Sequence, residues 1–210
     1  MPNSMVHWNG HQTCAIDTET TGLDPMYHEI IQIAIIPLDS NYCPRKDVTP
    51  FDIYIKPNHP ERINPEALKI NNITLENVMI KGFDNETALN LFEEWYKKLK
   101  LPVTKWGTPK KIRPLGQNYA FDKAFIQQWM GVSLYDEYFD YHYVDTMIAA
   151  NYLNDRAAYR AEVVPFSKVG LSYLASTLKI PHERAHTALN DAYVCLQVYQ
   201  AMLKMGAILG

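Results

Sequence analysis

At 210 residues, with 47% hydrophobic and 20% charged residues, the chain is long enough for one α/β domain with a sizeable core and has an ordinary globular composition. A net charge of −3 gives no global attraction to nucleic acid. No uncharged apolar run approaches the roughly 18 residues of a membrane span, and Met1–Trp8 lack the basic start and apolar core of a secretory signal. Cys14, Cys43 and Cys195 are widely spaced and form no CxxC pair, which argues against a disulfide framework or a zinc ribbon and for a reducing compartment, the cytoplasm by default.

Cys14 to Asp17 reads as a first strand. Strand side chains alternate, so Asp17 and Glu19 point the same way, about 6–7 Å apart. Like charges that close raise each other's pKa and cost stability unless a cation or ordered water offsets them. The alternative is a solvated strand end running into the turn-forming Thr21-Gly22-Leu23-Asp24-Pro25. Glu29 to Leu38 is a nearly continuous apolar run, typical of a strand covered on both faces, and Phe51 to Ile55 makes a third strand ended by Pro57. Three strands in close succession predict an antiparallel meander. Asn64-Pro65 then starts a short helix, with Asn as cap and Pro at the first helical position.

Asn85 to Lys100 is an amphipathic helix with Leu89, Phe92, Trp95, Tyr96 and Leu99 on one face. From Lys97 to Arg113 seven basic residues occur with no acid, around Trp106. This stripe fits a groove that tracks a nucleic-acid backbone, and equally a solvated helix end and a connector, which Pro102, Gly107, Pro109 and Pro114 favour. Leu115 to Asn118 closes a short strand, and Asp122 to Met130 is a helix that Asp122 would cap. The run from Tyr135 to Tyr143, like Trp8, suits an interface or core. Tyr143 to Thr146 turns from strand to helix, leading into Met147–Leu153, and Asn154 to Lys168 reads as an irregular, mobile loop. Leu171, Leu174, Ala175 and Leu178 mark a helix closed before Pro181. The last helix runs from near Thr187 to Met205, with Leu189, Ala192, Leu196, Tyr199 and Leu203 as its buried stripe. The order predicts a three-layer α/β domain with a mixed sheet, its carboxylates at strand ends and helix starts.

Four acids and a histidine stand out: Asp17, Glu19, Asp122, Asp191 and His186. The acids offer only hard oxygen ligands, suited to Mg²⁺ or Mn²⁺. Phosphodiester hydrolysis uses such a cluster to hold two metal ions about 3.5–4 Å apart, together with a base of pKa near 6.5 such as His.

The residues Asp17-Thr18-Glu19-Thr20-Thr21-Gly22, Asn118-Tyr119-Ala120-Phe121-Asp122 and His186-Thr187-Ala188-Leu189-Asn190-Asp191 carry a further reading. In order and spacing the chain resembles the DEDD-type 3′→5′ exonuclease superfamily, histidine subclass, which includes proofreading subunits and RNase T-like enzymes. Weaker echoes at Ile63–Leu68, Ile73-Thr74, Asp145-Thr146 and Leu171–Ala175 extend the resemblance from about Cys14 to Met205. It implies a ribonuclease H-like fold with a mixed five-stranded sheet flanked by helices, as a single exonuclease domain over 1–210 with a core of about 13–205. It also implies that Asp17 bridges two Mg²⁺ ions, for which Mn²⁺ substitutes. By the same resemblance Glu19 and Asp191 would complete the site that activates water, Asp122 would serve the second metal largely through water, and His186 would be the general base. Thr20 and Leu23 match positions that in the family hold the terminal nucleotide by backbone contact and by wedging under its base, and Asn118 and Phe121 would line the same pocket.

Family members often carry His where this chain has Gln117, and His-Gly where it has Asn71-Asn72. Both replacements keep hydrogen-bonding capacity and bear on substrate fit more than on catalysis. No sliding-clamp peptide is present, and little chain follows the last helix for a polymerase-binding tail. The expected reaction is release of nucleoside 5′-monophosphates from DNA 3′ ends, with a single-stranded nucleic acid as partner and no membrane. The alternatives are the same chemistry on RNA 3′ ends, or a non-catalytic nucleic-acid-binding module on this fold.

Overall fold

The computed structural model describes residues 10–71, 73–182 and 187–207. Its centre is a five-stranded sheet of order β3-β2-β1-β4-β5, built from β1 (Gln12–Thr20), β2 (Ile30–Pro37), β3 (Phe51–Tyr54), β4 (Ile112–Gly116) and β5 (Val144–Asp145). β1, β2 and β3 pair antiparallel, the meander that their close spacing predicts, and β4 and β5 add in parallel. The apolar run of β2 is buried at every residue, as expected of a strand covered on both faces.

Among the described residues eight α-helices lie between and after the later strands: α1 (Pro65–Asn71), α2 (Leu75–Lys81), α3 (Asn85–Lys98), α4 (Tyr119–Met130), α5 (Val132–Tyr138), α6 (Thr146–Tyr159), α7 (Leu171–Thr177) and α8 (Ala188–Ala207). Local chemistry starts several of them. Asn64 Oδ1 accepts from Glu66 N, Thr74 caps α2 through Asn77 N, and Asp84 caps α3 through Thr87 N at 2.8 Å.

The alternation along β1 divides the core. Cys14 and Ile16 face a layer with Phe92 and Trp95 of α3 and Phe125 of α4, while Ala15 faces Ala192, Cys195 and Leu196 of α8. A third cluster joins α6, α7 and α8 through Leu153, Leu174, Val198 and Met202. The three layers and mixed sheet are those the element order predicts.

Three local expectations are corrected, and one open alternative is decided. The proposed loop after Leu153 is helical to Tyr159, because Leu153 and Ala157 pack inward; beyond it, Asn154 exchanges hydrogen bonds with both backbone groups of Phe166, so that turn is pinned. Pro114 belongs to β4 rather than to a loop. Gln12 N donates to Lys111 O on the β1 side and Asp140 N to Ile112 O on the other, so the nitrogen of Pro114 faces the flank where pairing with β5 begins only at Leu115. Leu203 is 42% exposed while Met202 is buried, because α8 packs against the sheet and against α6 and α7 at once, which rotates its buried stripe along its length. The Tyr-rich run is mostly core, with Tyr135 stacked on Phe139 and Tyr138 packed on Tyr96, whereas Tyr141 is exposed. Trp8 lies outside the described residues.

The basic stripe forms the end of α3, a turn in which Val103 bridges Pro109 and Thr104 N donates to Thr108 O, and the start of β4. Lys105 lies over the exposed Trp106 ring, 4.8 Å from its centroid. Ile112 pairs with Gln12, at the other end of β1 from Glu19. At about 3.3 Å per residue this separates the stripe from Asp17 and Glu19 by roughly 20 Å, so the fold does not bring it to the carboxylates.

Candidate active site

Asp17 and Glu19 lie inside β1, which runs on to Thr20, with a register irregularity between Glu19 and Thr20. The reading of a solvated strand end therefore fails: Glu19 is 7% exposed. Being odd-numbered like Ala15, both carboxylates face α8, and Asp191 in the first turn of that helix meets them. One ligand oxygen from each of Asp17, Glu19 and Asp191 lies within 4.8 Å of the other two. Beneath them Gln32, directly across the ladder from Glu19, donates to Asp52 at 2.8 Å and accepts from Ala188 N, tying β3 and the start of α8 to the same spot.

Thr18 points to the opposite face, toward α4. There its backbone N–H and its hydroxyl both donate to Asp122 Oδ1, at 3.0 and 2.7 Å. Asp122 is thus no cap. Asn118 occupies the cap position of α4 in the left-handed conformation, φ 54°, without a side-chain cap bond, and Asp122 is turned inward at 3% exposure. Asp145 sets that turn. Its carboxylate accepts from Asn118 N at 3.1 Å, Tyr119 N at 2.8 Å and Met147 N at 2.8 Å, so it caps α6 and holds the entry to α4 together.

The electrostatics follow from this crowding. Burial, reinforced by Asp122, Glu19 and Asp191, raises Asp17 well above the usual carboxylate range. Glu19 is pushed up to about 8 by burial and then by Asp191 and Asp122. Asp122 rises to about 7 through burial, although its two bonds from Thr18 pull the other way. Uncompensated, these groups hold protons near neutral pH. An all-oxygen donor set of this kind fits a hard divalent cation, and a cation would release those protons.

The turn after β1 is stitched down from several sides. Thr21 N donates to Glu29 O and Glu29 N to the Thr21 hydroxyl, Asn64 N donates to Thr21 O, and the Thr20 hydroxyl donates to Gly22 O at 2.6 Å. A Cβ on Gly22 would stand 2.3 Å from the His28 ring, so any other residue there would require that ring to move. The buried Asn71 donates through Nδ2 to Thr20 O at 3.0 Å, and Gln117 donates to Val169 O and accepts from the Thr146 hydroxyl. Two of the three departures from the family pattern thus make specific bonds; the third, Asn72, lies outside the described residues. Asn71→Ala leaves the Thr20 carbonyl without this donor and is expected to cost about 1–3 kcal/mol in a urea titration.

Of the sequence-derived candidates, the structure gathers Asp17, Glu19, Asp122 and Asp191. Thr20 is buried at the end of β1, Leu23 is 80% exposed on the adjoining turn, Asn118 is exposed, and Phe121 is half-buried against Phe125. His186 lies outside the described residues. Sequence reasoning missed Thr18 and His182 and noted Asp145 only as an echo. Thr18 stands between two acids, but its contact with Asp122 spans 104 residues and no local pattern signals it; His182 gave no signal.

A family model described as Exonuclease, of the RNase T type, matches residues 14–199. The chain belongs to the exonuclease family. It is thereby a member of the DEDD superfamily of 3′→5′ exonucleases, as its motifs imply. Its sequence is 23% identical over 203 residues to ribonuclease T of Actinobacillus pleuropneumoniae, covering 93% of this chain and 85% of that protein. It is 26% identical over 199 residues to DNA polymerase III subunit epsilon of Pasteurella multocida, covering 89% and 66%. In fold this family member matches E. coli exonuclease I in complex with a dA16 oligonucleotide, with a TM-score of 0.70 and 21% identity, over 92% of this chain and 41% of that one. It matches the cell-death related nuclease CRN-4 with a TM-score of 0.69 and 17% identity, over 93% and 64%. The mixed sheet and its flanking helices are the ribonuclease H-like exonuclease fold. The chain thus spans most of ribonuclease T but about two-fifths of exonuclease I. No helix among the described residues is long and apolar enough to cross a membrane.

Proposed function

We propose that the chain hydrolyses single-stranded DNA from its 3′ end and releases nucleoside 5′-monophosphates, with residues 13–205 as one exonuclease domain. The observation that carries this reading is the meeting of Asp17 and Glu19 from β1 with Asp191 from α8 within 4.8 Å, beside Asp122. In this reading Asp17, Glu19 and Asp191 would hold one Mg²⁺, and Asp17 would serve a second with Asp122, the latter largely through water; Mn²⁺ would substitute for either. Cations held there would lower the pKa of water and offset charge on the phosphoryl oxygens. Asp122, with Oδ1 already engaged by Thr18, keeps its carboxylate oriented without a large rearrangement. Thr20 contacts the terminal nucleotide through its backbone, and the exposed Leu23 wedges under its base, with Asn118 and Phe121 along the pocket. His186 takes the proton of the attacking water, a task suited to an imidazole pKa near 6.5. The three cysteines are free, which fits a reducing compartment such as the cytoplasm.

Support for DNA comes from likeness to a DNA polymerase III subunit and to exonuclease I crystallised with DNA oligonucleotides. The second reading is the same reaction on RNA, favoured by the likeness to ribonuclease T over 85% of that protein. Matched 5′-labelled single strands of DNA and RNA, incubated with Mg²⁺, Mn²⁺ or chelator, separate the two. A ladder shortening from the 3′ end on DNA and abolished by chelator is the expected result. A ladder on RNA alone selects the second reading, and retained binding without turnover under every condition overturns both.

A further inference from the structure

Asp191 differs from the other carboxylates of the cluster. Asp17 and Glu19 take their direction from the pleat of β1, and Asp122 Oδ1 is held by two donors from Thr18. Asp191 stands in the first turn of α8, which sets its Cα but leaves the rotation of its carboxylate to its side-chain neighbours. A buried neighbour supplies that constraint: His182 Nε2 lies 2.9 Å from Asp191 Oδ1, with the two side chains 9% and 13% exposed. Against an ionised carboxylate the ring N–H donates. Asn190 Nδ2 reaches the same oxygen at 3.4 Å.

The segment that presents His182 is itself fixed. α7 ends in a left-handed residue, Lys179 at φ 58°, with Lys179 N donating to Ser176 O and Ile180 N to Ala175 O at 2.8 Å, the double bond of a Schellman ending. Ile180 packs on the α6–α7–α8 cluster, and Pro181 restricts the backbone immediately before His182. The imidazole therefore reaches Asp191 from a braced turn.

We propose that His182 is a positioning residue: its ring N–H sets the plane of the Asp191 carboxylate so that the residue joins Asp17 and Glu19 around a divalent cation. The inference rests on the reading of that trio as a cation site. Donors behind a ligand carboxylate typically carry a factor of 10–100 in metal affinity, which fixes the expected effect.

The test is Mn²⁺ titration by calorimetry, with melting temperature in chelator as the measure of folding. His182→Ala is expected to weaken Mn²⁺ binding by roughly 10- to 100-fold, and His182→Gln, which keeps a neutral donor, to recover most of it. His182→Leu keeps volume without a donor; it should lose affinity like Ala, and it decides the matter if Ala does not fold. A purely structural role would lower the melting temperature of both non-donor variants and leave the Mn²⁺ affinity of the folded protein intact, which overturns the proposal. Asp17→Ala is the control. If it loses Mn²⁺ while the non-donor variants bind normally, only the role of His182 fails; if it also binds normally, the cation site itself is wrong.

Discussion

Asp17→Asn is expected to lower exonuclease activity about a thousandfold or more, and at the same time to raise the melting temperature of the cation-free protein. The first effect follows from charge. A carboxylate of a cation cluster contributes several kcal/mol to the transition state, and each 1.4 kcal/mol is a factor of ten. The second follows from the same charge with no cation present. Burial and three neighbouring acids raise the Asp17 carboxyl well above its usual range, so its ionised form is costly in the folded chain. The amide keeps the shape and removes the charge, and a protein of this size gains about 2–4 °C for each kcal/mol relieved. Digestion of labelled single strands and thermal melts in chelator at pH 8 check the two halves. Undiminished digestion by the variant would sink the site, whereas an unchanged melting temperature would mean that ordered water already offsets the charge.

The cation-free protein is also expected to lose stability as pH rises from about 5 to 8.5, and to regain it when Mg²⁺ or Mn²⁺ is added. In the folded chain Glu19 titrates at about 8 and Asp122 at about 7, against 4.5 and 3.8 for the unperturbed groups. Between those values the folded protein binds more protons than the unfolded chain, so unfolding free energy falls with rising pH. The contribution is complete below about pH 4 and is lost as pH passes through 7 and 8, a total on the order of 9 kcal/mol at most. A cation that binds only the folded form adds about 2.7 kcal/mol at one hundred times its dissociation constant, roughly 5–11 °C here. Its binding should release protons, seen as a calorimetric enthalpy that depends on the ionisation heat of the buffer. Melting curves in chelator that stay level from pH 5 to 8.5 would contradict the raised carboxylates.

Much of this molecule was legible in its sequence because the signals were local. The alternation of β1 put Asp17 and Glu19 on one face, the continuous apolar run of β2 announced a strand covered on both sides, and Asn64-Pro65 and Asp145-Thr146 carried the chemistry of helix starts. The three motifs, in order, mark the family by themselves. Where long-range packing acts, the sequence was silent. Nothing local shows that the odd face of β1 meets α8, that Thr18 on the even face supplies both donors to Asp122, or that Asp145 holds the entry to two helices. Propensity likewise broke α6 at polar Asn154, where tertiary contacts carry the helix on to Tyr159, and made Pro114 a loop residue because its unpaired flank is a property of the sheet. Periodicity and caps depend on residues a few positions apart, so most elements and the chemistry of the motifs are readable without coordinates. Which carboxylates meet, how far each is desolvated, and the contact of His182 with Asp191 depend on packing between distant segments, which no local pattern encodes.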